Sequence, residues 1–440
     1  MAFSVLFALV LLAWLLPSLW MRLSRLTLLD FFLLAIAMFF GAYTILDTMA
    51  AEQPNFEPVA VASVFVIVSG ATLILWWFAR RPSQFLQETS LARMRADWIG
   101  ASRWPIIGLV GLAVVYRIIT ATMYAELGPE ELSGNERDLP YWFTSLGMIV
   151  NVSVFPAALC CWGKARATQG PRRLYWFALA GLCALVIMGM GRRAIFALLV
   201  ITGWDLLTQF RARRRLWLPL LLLIMFVPMM LMISNVYQAY RFATVRGVPM
   251  ENMAEMLEEK SLLESAADVN ETISNIEQRQ AMWRFNYSIV DADLRGMGSP
   301  QWGRILIGGL QNLVPSAIYP DKVIFDTEAE TQAAFGLERV DQSENIFTST
   351  YADFGFLSIV IAPLFILLIV WACAHGERRL RDPFLRALLL GAALFLALNL
   401  EQSYMTPFGF ARDFAFVAAG YVALRAFFRV ARSIVRLAIQ

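Results

Sequence analysis

Charged residues are scarce in this sequence. Only 16% of its 440 residues are Asp, Glu, Lys or Arg, and 59% are hydrophobic, whereas an ordinary soluble protein carries about 25% charged residues. A soluble globular enzyme is therefore excluded. Stretches such as 2–21, 28–46 and 58–79 contain almost no charge, and a helix needs about 20 apolar residues to cross a bilayer. We expect an all-α polytopic membrane protein.

Histidine and cysteine are also rare. The only histidine, His375, follows a long apolar run, and the four cysteines lie within apolar runs without a CxxC pair. Ser-His-Asp and Cys-His catalysis at the outer face are therefore excluded, and neither a disulfide framework nor a zinc site is indicated. Walker, GxSxG and GxGxxG elements are absent. We expect no metal ion and no other cofactor.

Apolar runs bounded by charges, or by clusters of Pro and Gly, predict about eleven membrane spans. These lie near residues 2–21, 28–46, 58–79, 104–124, 141–162, 174–190, 194–210, 216–235, 353–374, 384–401 and 410–428. Basic residues concentrate in every second connection and at the C-terminus, while the connections between them are acidic. By the positive-inside rule, this pattern predicts an outer N-terminus and a cytoplasmic C-terminus.

One long hydrophilic segment, residues 236–352, falls on the outer side in this topology. It contains seventeen acidic and nine basic residues, so its local charge is −8. From Met250 to about Ile289 it has helical spacing without Pro or Gly, and its second half resembles turns and interfacial helices. The chain thus divides into a membrane bundle of about eight spans (1–235), a large outer loop (236–352) and a bundle of about three spans (353–440).

Several arginines lie where the positive-inside rule disfavours them. They are Arg117, Arg192, Arg193, Arg241, Arg246 and Arg412. An arginine inside a span costs about 2.5 to 3.5 kcal/mol on the insertion scale, and guanidinium groups bind phosphate in a bidentate fork. We expect these cations to form an anion site in the outer leaflet.

Each of these arginines also has a structural interpretation. Arg192 and Arg193 can extend to lipid headgroups, Arg412 can pair with Asp413, and Arg117 can pair with an acid inside the bundle. The set as a whole favours an anion site more than any single member does.

Carboxylates near predicted span ends are candidates for a general base, because burial there raises the pKa toward neutrality. They are Asp291, Asp293, Glu344, Asp353 and Glu401. Each can instead be structural. Asp291 and Asp293 form the only Asp-x-Asp pair on the outer side, which is open to Mg²⁺ binding but is equally typical of a solvated face.

Three motifs follow one another in the chain: MGMGRRA before a span, RILIGGLQNLVPSAIYPDK in the long segment, and SENIFTSTYADFGFLS entering the next span. Together they resemble the O-antigen and oligosaccharide repeat-unit polymerases (Wzy-like). The matching positions are Gly191 to Arg193, Pro315 to Lys322, Glu344, and Asp353 to Gly355. The likeness covers the span plan and, in detail, about residues 188–360. The doubled arginine and the spacing from Lys322 to Glu344 depart from the family pattern.

The resemblance implies a C-type membrane glycosyltransferase in the bacterial inner membrane, with its active site facing the periplasm. Such enzymes transfer a growing glycan from undecaprenyl pyrophosphate to the next lipid-linked repeat unit. Its partners would be the donor and acceptor glycans, both linked to undecaprenyl pyrophosphate, and the lipid bilayer. A chain-length regulator and a flippase of the same pathway would be protein partners, and no nucleic acid is expected to bind. The missing outer histidine argues against the related O-antigen ligases.

We expect the candidate residues to divide into two roles. The base would be Glu344 or Asp353 by preference, with Asp291 as a further candidate. The donor pyrophosphate would be bound by Arg192, Arg193, Arg241 and Arg412, and the further candidates for substrate binding are Arg246, Arg117 and Lys322.

Two other function classes stay open. A flippase or exporter of lipid-linked oligosaccharide also needs cations for pyrophosphate, but such proteins carry charges along a central cavity and commonly have two related halves. No internal repeat is present in this sequence. A structural scaffold for a polysaccharide assembly complex would need no arginine cluster.

Overall fold

The structure is a computed structural model, which describes part of the chain. The described residues are 2–22, 25–42, 44–45, 57–81, 83–126, 141–188, 192–212, 282–311, 313–314, 325–338, 344–399, 403 and 405–439. Within these ranges all regular elements are helices, apart from one isolated bridge between Thr27 and Ser90. This is expected for an apolar chain, because helices satisfy their own backbone hydrogen bonds in lipid.

Nine α-helices form the first half of the fold. They are α1 (Ala2–Met21), α2 (Leu28–Ile36), α3 (Pro58–Arg80), α4 (Gln84–Glu88), α5 (Leu91–Gly100), α6 (Arg103–Glu126), α7 (Tyr141–Ala167), α8 (Pro171–Met188) and α9 (Arg192–Ala212). A π-helical turn, Ala37–Ala42, continues α2.

Seven more α-helices follow residue 281. They are α10 (Met282–Leu294), α11 (Arg304–Gln311), α12 (Thr327–Ala334), α13 (Ile346–Phe354), α14 (Ser358–Arg379), α15 (Pro383–Leu398) and α16 (Thr406–Ile439). A short 3-10 turn, Gly355–Leu357, separates α13 from α14.

Seven helical segments are long and apolar enough to cross a membrane. They are Ser4–Met21, Pro58–Arg80, Arg103–Thr120, Ser145–Ala167, Pro171–Met188, Ile346–Arg379 and Thr406–Ala431. The shorter apolar helices Leu28–Ala42 and Pro383–Leu398 occupy two further predicted spans. An all-α multi-pass membrane architecture is thus confirmed. The count of eleven spans stays a prediction, and its eighth span, 216–235, lies outside the described residues.

Helix α7 lies at the centre of the described bundle. It packs against α5, α6, α8, α9, α15 and α16, and most of its membrane-length segment is buried. Helices α3 and α14 pack together beside it, with α2 between α3 and α15. The lipid-facing surface is correspondingly apolar, and α16 is the least buried of the membrane-length helices.

Ion pairs join the helices at one end of the bundle, which we call the basic end. The pairs are Arg22–Asp30, Arg93–Glu377, Arg95–Asp205, Arg166–Asp205, Arg378–Glu88, Arg386–Asp97 and Arg425–Asp382. They connect α4 and α5 to the last turns of α7, α9 and α14 and to the start of α15. The basic clusters that were predicted to share one side of the membrane are therefore gathered together.

Asp205 is a buried carboxylate of the basic end with three partners. It is 1% exposed, pairs with both Arg95 and Arg166, and accepts a hydrogen bond of 3.1 Å from the Trp162 indole. Its negative charge is what allows two guanidinium groups from different helices to lie side by side.

Replacing Asp205 with Asn should therefore destabilise the fold. Removing one partner of a buried ion pair leaves an uncompensated charge, and here two cations would face each other. Because the arginines are partly exposed, we expect a loss of about 2 kcal/mol in unfolding free energy, measured by thermal unfolding of the purified protein in detergent. Glu330→Gln is the control, since the exposed Arg304–Glu330 pair spans 3.6 Å and such pairs contribute at most about 1 kcal/mol. Equal losses in both variants would contradict the expectation.

Candidate functional site

Helix α13 begins with a complete N-terminal cap. The side-chain oxygen of Asn345 accepts hydrogen bonds from the backbone N–H groups of Phe347 and Thr348, at 3.0 and 3.1 Å. The hydroxyl of Thr348 in turn accepts a bond from the backbone N–H of Asn345. This capping box satisfies the free amides of the first turn, so the helix can start inside the protein.

Helix α13 ends at a glycine for a steric reason. Gly355 has φ of 55°, in the left-handed region that other residues rarely adopt. The chain can therefore reverse within the 3-10 turn and enter α14. The motif Asp353 to Gly355 thus forms a break between α13, most of which the sequence places in the outer loop, and α14, which it predicts as a membrane span.

Asp353 occupies a fully buried position at this break. Its two carboxylate oxygens accept hydrogen bonds from the backbone N–H groups of Ile305 and Leu306, at 2.9 and 2.7 Å. These are the first amides of α11, which a carboxylate stabilises both by hydrogen bonding and through the helix dipole. Trp302 N–H also donates to the backbone oxygen of Asp353. Asp353 therefore attaches α11 to α13.

Glu344 lies immediately before the cap of α13 and is 8% exposed. One carboxylate oxygen accepts a hydrogen bond of 2.7 Å from the Thr327 hydroxyl, and the other accepts a bond of 2.7 Å from Ser349. Burial raises the pKa of Glu344 to about 7, the two hydroxyl donors lower it, and the nearby Glu328 and Asp326 raise it. The carboxyl group therefore exists in both protonation states near neutral pH, as a general acid or base requires.

Helix α10 runs along the first half of α3 in the opposite direction. Arg295, just after α10, approaches Glu57 at the start of α3, with 3.7 Å between Nε and Oε1. Deeper in the bundle, the Tyr287 and Phe65 rings have centroids 6.3 Å apart, and Trp283 lies together with Val68. Val68 is ten residues into α3, which corresponds to about 15 Å along the helix, or about half of a hydrocarbon core.

Helix α13 reaches a similar depth. The Phe347 ring contacts the Phe40 ring, with centroids 5.3 Å apart, and Phe40 lies in the same apolar cluster as Trp283 and Tyr287. Toward the opposite end from the basic end, the Tyr351 hydroxyl donates to Asp293 at 2.7 Å. We refer to α10 and α13 as the half-helices, because both enter the bundle and neither is long enough to cross it.

The half-helices belong mostly to the segment that the sequence predicts as an outer loop. The sequence places residues 236–352 in one hydrophilic outer loop, but in the described part α10 and most of α13 pack among membrane helices. Helix α10 has only 13 residues and contains Arg284, Asp291 and Asp293, so it lacks the long uncharged run by which spans are recognised.

The described carboxylates have different partners. Asp291 pairs with Arg295 at 2.9 Å, and Asp293 accepts the Tyr351 hydroxyl. Within the described ranges, no group of three or more His, Cys, Asp and Glu side chains could hold a metal ion.

Arg117, Arg193 and Arg412 are the members of the expected anion site whose side chains are described, and they lie on α6, α9 and α16. Arg412 of α16 donates to Asp413 at 2.8 Å, the pair that the sequence allows, and approaches Met148 of α7. Arg117 of α6 has no acidic partner among the described residues, and its neighbour Tyr116 stacks on Phe143. Arg193 is half-buried in the first turn of α9.

Four members of the expected anion site are described less fully or not at all. Arg192 is the first residue of α9. Arg241, Arg246 and Lys322 lie outside the described residues.

Helix α11 connects the carboxylates to the arginine-bearing side. Gly309 of α11 packs so tightly against Met405 that a Cβ atom there would collide with it, and Met405 directly precedes α16. Asp353 and Arg412 are therefore linked through α11. Among the described residues, no ion pair joins Glu344 directly to an arginine, and its hydrogen-bond donors are Thr327 and Ser349.

Sequence reasoning missed several polar residues of the site. Thr327 and Ser349 bind Glu344, Asn345 caps α13, and Arg284 is a buried cation on α10. The Asn-x-x-Thr spacing at 345–348 could have indicated the cap, whereas nothing local marks Thr327.

No protein-family model matches the chain, and neither a curated protein nor a solved structure is significantly similar to it.

Proposed function

We propose that the chain is a polymerase of undecaprenyl-pyrophosphate-linked oligosaccharide repeat units, a metal-independent membrane glycosyltransferase that works at the periplasmic face. The observation that supports this most directly is Glu344. Its carboxyl group is buried, is held by two hydroxyl donors, and has a pKa near 7. It also occupies the glutamate position of the motif series that resembles the repeat-unit polymerases.

In the proposed reaction, a hydroxyl group on the non-reducing sugar of the acceptor attacks the anomeric carbon of the growing glycan. A new C–O bond forms, and the bond from that carbon to the pyrophosphate oxygen breaks. The electron pair stays on undecaprenyl pyrophosphate, and the hydroxyl proton passes to the carboxylate of Glu344. Cations near the departing oxygen stabilise the charge that develops there.

Glu344 fits the role of base better than the other two candidates. Both oxygens of Asp353 accept backbone N–H bonds of α11, so this carboxylate is a positioning group. Asp291 is paired with Arg295. The partners of Glu344, by contrast, are hydroxyl groups, which can re-orient when the carboxylate takes up a proton.

The donor pyrophosphate must lie close to Glu344, because its oxygen is bonded to the carbon under attack. Lys322 is the candidate cation nearest to this carboxylate along the chain. It precedes Thr327 by five residues, a segment that spans at most about 17 Å, and Thr327 binds Glu344. We assign Lys322 to the donor pyrophosphate, with Arg241 and Arg246 as further candidates.

A polymerase also binds a second pyrophosphate, that of the acceptor lipid. This group lies at the other end of the acceptor glycan, away from the reacting hydroxyl. The arginines of α6, α9 and α16 are the remaining candidates for this second site. We assign Arg117, Arg192, Arg193 and Arg412 to it.

The proposed setting is the bacterial inner membrane, with eleven spans, a periplasmic N-terminus and a cytoplasmic C-terminus. The basic end would face the cytoplasm, as the positive-inside rule requires. A flippase and a chain-length regulator of the same pathway would be partners. The alternative function is a flippase or exporter of lipid-linked oligosaccharide.

Glu344→Gln should abolish chain extension. The substitution keeps the shape of the side chain but removes the base, whose contribution is at least about 100-fold. The measurement is product length after incubating purified protein in detergent with the host's lipid-linked repeat units. Glu330→Gln, an exposed carboxylate on α12, is the matched control and should give the wild-type ladder. If intact substrate yields no ladder even with wild-type protein, the flippase alternative replaces this proposal, and lipid movement across vesicles is measured next.

The extension rate should rise with pH through about 7 and then level off, because only the deprotonated carboxylate of Glu344 accepts a proton.

The stability of the folded protein should change with pH in the opposite direction. A pKa raised from 4.5 to about 7 means that the folded state binds this proton more tightly than the unfolded state. The contribution of Glu344 to the unfolding free energy therefore falls as the pH rises from 4.5 to about 7, by up to roughly 3 kcal/mol.

These two pH dependences are measured as initial rate and as thermal unfolding between pH 4 and 9. The Glu344→Gln variant should lose the fall in stability that Glu330→Gln retains. A rate profile of wild-type protein that is flat from pH 6 to 8 would argue against Glu344 as the base.

Lys322→Gln should slow chain extension at least about tenfold, because the charge on the departing pyrophosphate loses a stabilising cation. Lys260→Gln is the control, since it removes the same charge from the same long segment. The measurement is the initial rate at saturating lipid-linked repeat unit. Equal rates in the two variants would remove Lys322 from the proposed donor site.

A further inference from the structure

Two buried polar atoms beside Glu344 have no hydrogen-bond partner in the part of the chain that the structure describes. They are the hydroxyl oxygen of Thr331 and the side-chain nitrogen of Asn345, and both residues are 0% exposed. Buried polar groups are nearly always paired, so an unpaired one calls for an explanation. Thr350 of α13 follows the rule, since its hydroxyl donates to the backbone oxygen of Ile346 one turn earlier.

The two atoms belong to the surroundings of Glu344. Thr331 lies one turn after Thr327 on the same face of α12, so that their Cβ atoms are about 5 to 6 Å apart, and Thr327 binds Glu344 directly. Asn345 follows Glu344 in the chain. Its side-chain oxygen caps α13, which leaves the amide N–H groups as donors.

We propose that Thr331 and Asn345 bind hydroxyl groups of the acceptor sugar, next to the hydroxyl that Glu344 deprotonates. The ligand class is a sugar ring with hydroxyl groups on neighbouring carbons. Thr331 can donate and accept, and Asn345 donates, so the two residues distinguish sugars by the positions of these hydroxyls. This inference rests on the proposed function.

The chemistry of the three side chains is complementary to a sugar ring. A pyranose carries several hydroxyl groups within a few ångströms of one another, and each must be paired when the ring leaves water. Glu344 accepts one proton. The Thr331 hydroxyl, one helical turn after Thr327, and the Asn345 amide, next to Glu344 in the chain, are then available to hydrogen-bond other hydroxyl groups of the ring. Because both residues are fully buried, the acceptor reaches them only when α12 separates from α13.

The test is Thr331→Val, which keeps the shape of the side chain and removes the unpaired hydroxyl. The Tm should stay the same or rise, because a buried group without a partner is lost. The apparent KM for the lipid-linked repeat unit should rise at least tenfold. Thr350→Val is the matched control, since the Thr350 hydroxyl is already bonded to the backbone oxygen of Ile346 at 2.7 Å. This control should lose some stability and keep the wild-type KM.

Asn345→Ser gives a second, independent variant. Serine preserves the cap of α13 but lacks the amide donors, so the KM should again rise without loss of the folded state. An unchanged KM in both Thr331→Val and Asn345→Ser would overturn the inference. A lower Tm with an unchanged KM in Thr331→Val would overturn it too, and would indicate a bridging water.

A binding measurement separates this inference from the proposed function. The probe is the repeat-unit oligosaccharide freed from its lipid, added to detergent-solubilised protein during thermal unfolding. It should raise the Tm of the wild type and of Thr350→Val, but not that of Thr331→Val. This result supports the sugar site even if no ladder forms, in which case only the polymerase proposal fails. No shift in the wild type, or equal shifts in all three proteins, would overturn the sugar site.

Discussion

The hydrogen bonds from α11 to Asp353 are the contact on which the geometry of the site depends. They join a short helix to the break between α13 and α14, where the chain reverses at Gly355. Without the carboxylate, the first amides of α11 would be buried unpaired, and each unpaired group costs about 1 to 3 kcal/mol. The same helix packs against Met405 before α16, so Asp353 also determines how the half-helices meet the last membrane-length helix.

The half-helices place a titratable group where a continuous span would place an apolar one. A helix that crosses the bilayer satisfies its backbone internally, whereas one that begins inside the protein exposes free amides. Asn345 and Thr348 pair these amides by a capping box. The chain can therefore hold Glu344 at depth, among hydroxyl groups and away from bulk water. Burial without a cationic partner raises its pKa.

The sequence predicts the membrane-length helices well, because an uncharged run of about 20 residues has few alternatives in lipid. Helices α1 and α3 lie within a few residues of the predicted spans. It does not predict the half-helices. Helix α10 is too short and too charged to be recognised as membrane-embedded, and most of α13 falls in the segment that the sequence predicts as an outer loop. For the candidate site, the sequence identifies Glu344 as a carboxylate near a span end but cannot identify Thr327, seventeen residues away, because that contact is tertiary.

The surroundings of Glu344 bear on the choice between a polymerase and a flippase. A flippase needs cations along a central cavity to carry a pyrophosphate across the membrane, whereas the proposed glycosyl transfer also needs a base. Among the described residues, Glu344 is buried and accepts hydrogen bonds from the hydroxyl groups of Thr327 and Ser349. A carboxylate in this environment suits proton transfer. The proposed polymerase therefore gives Glu344 a role, whereas the flippase alternative gives it none.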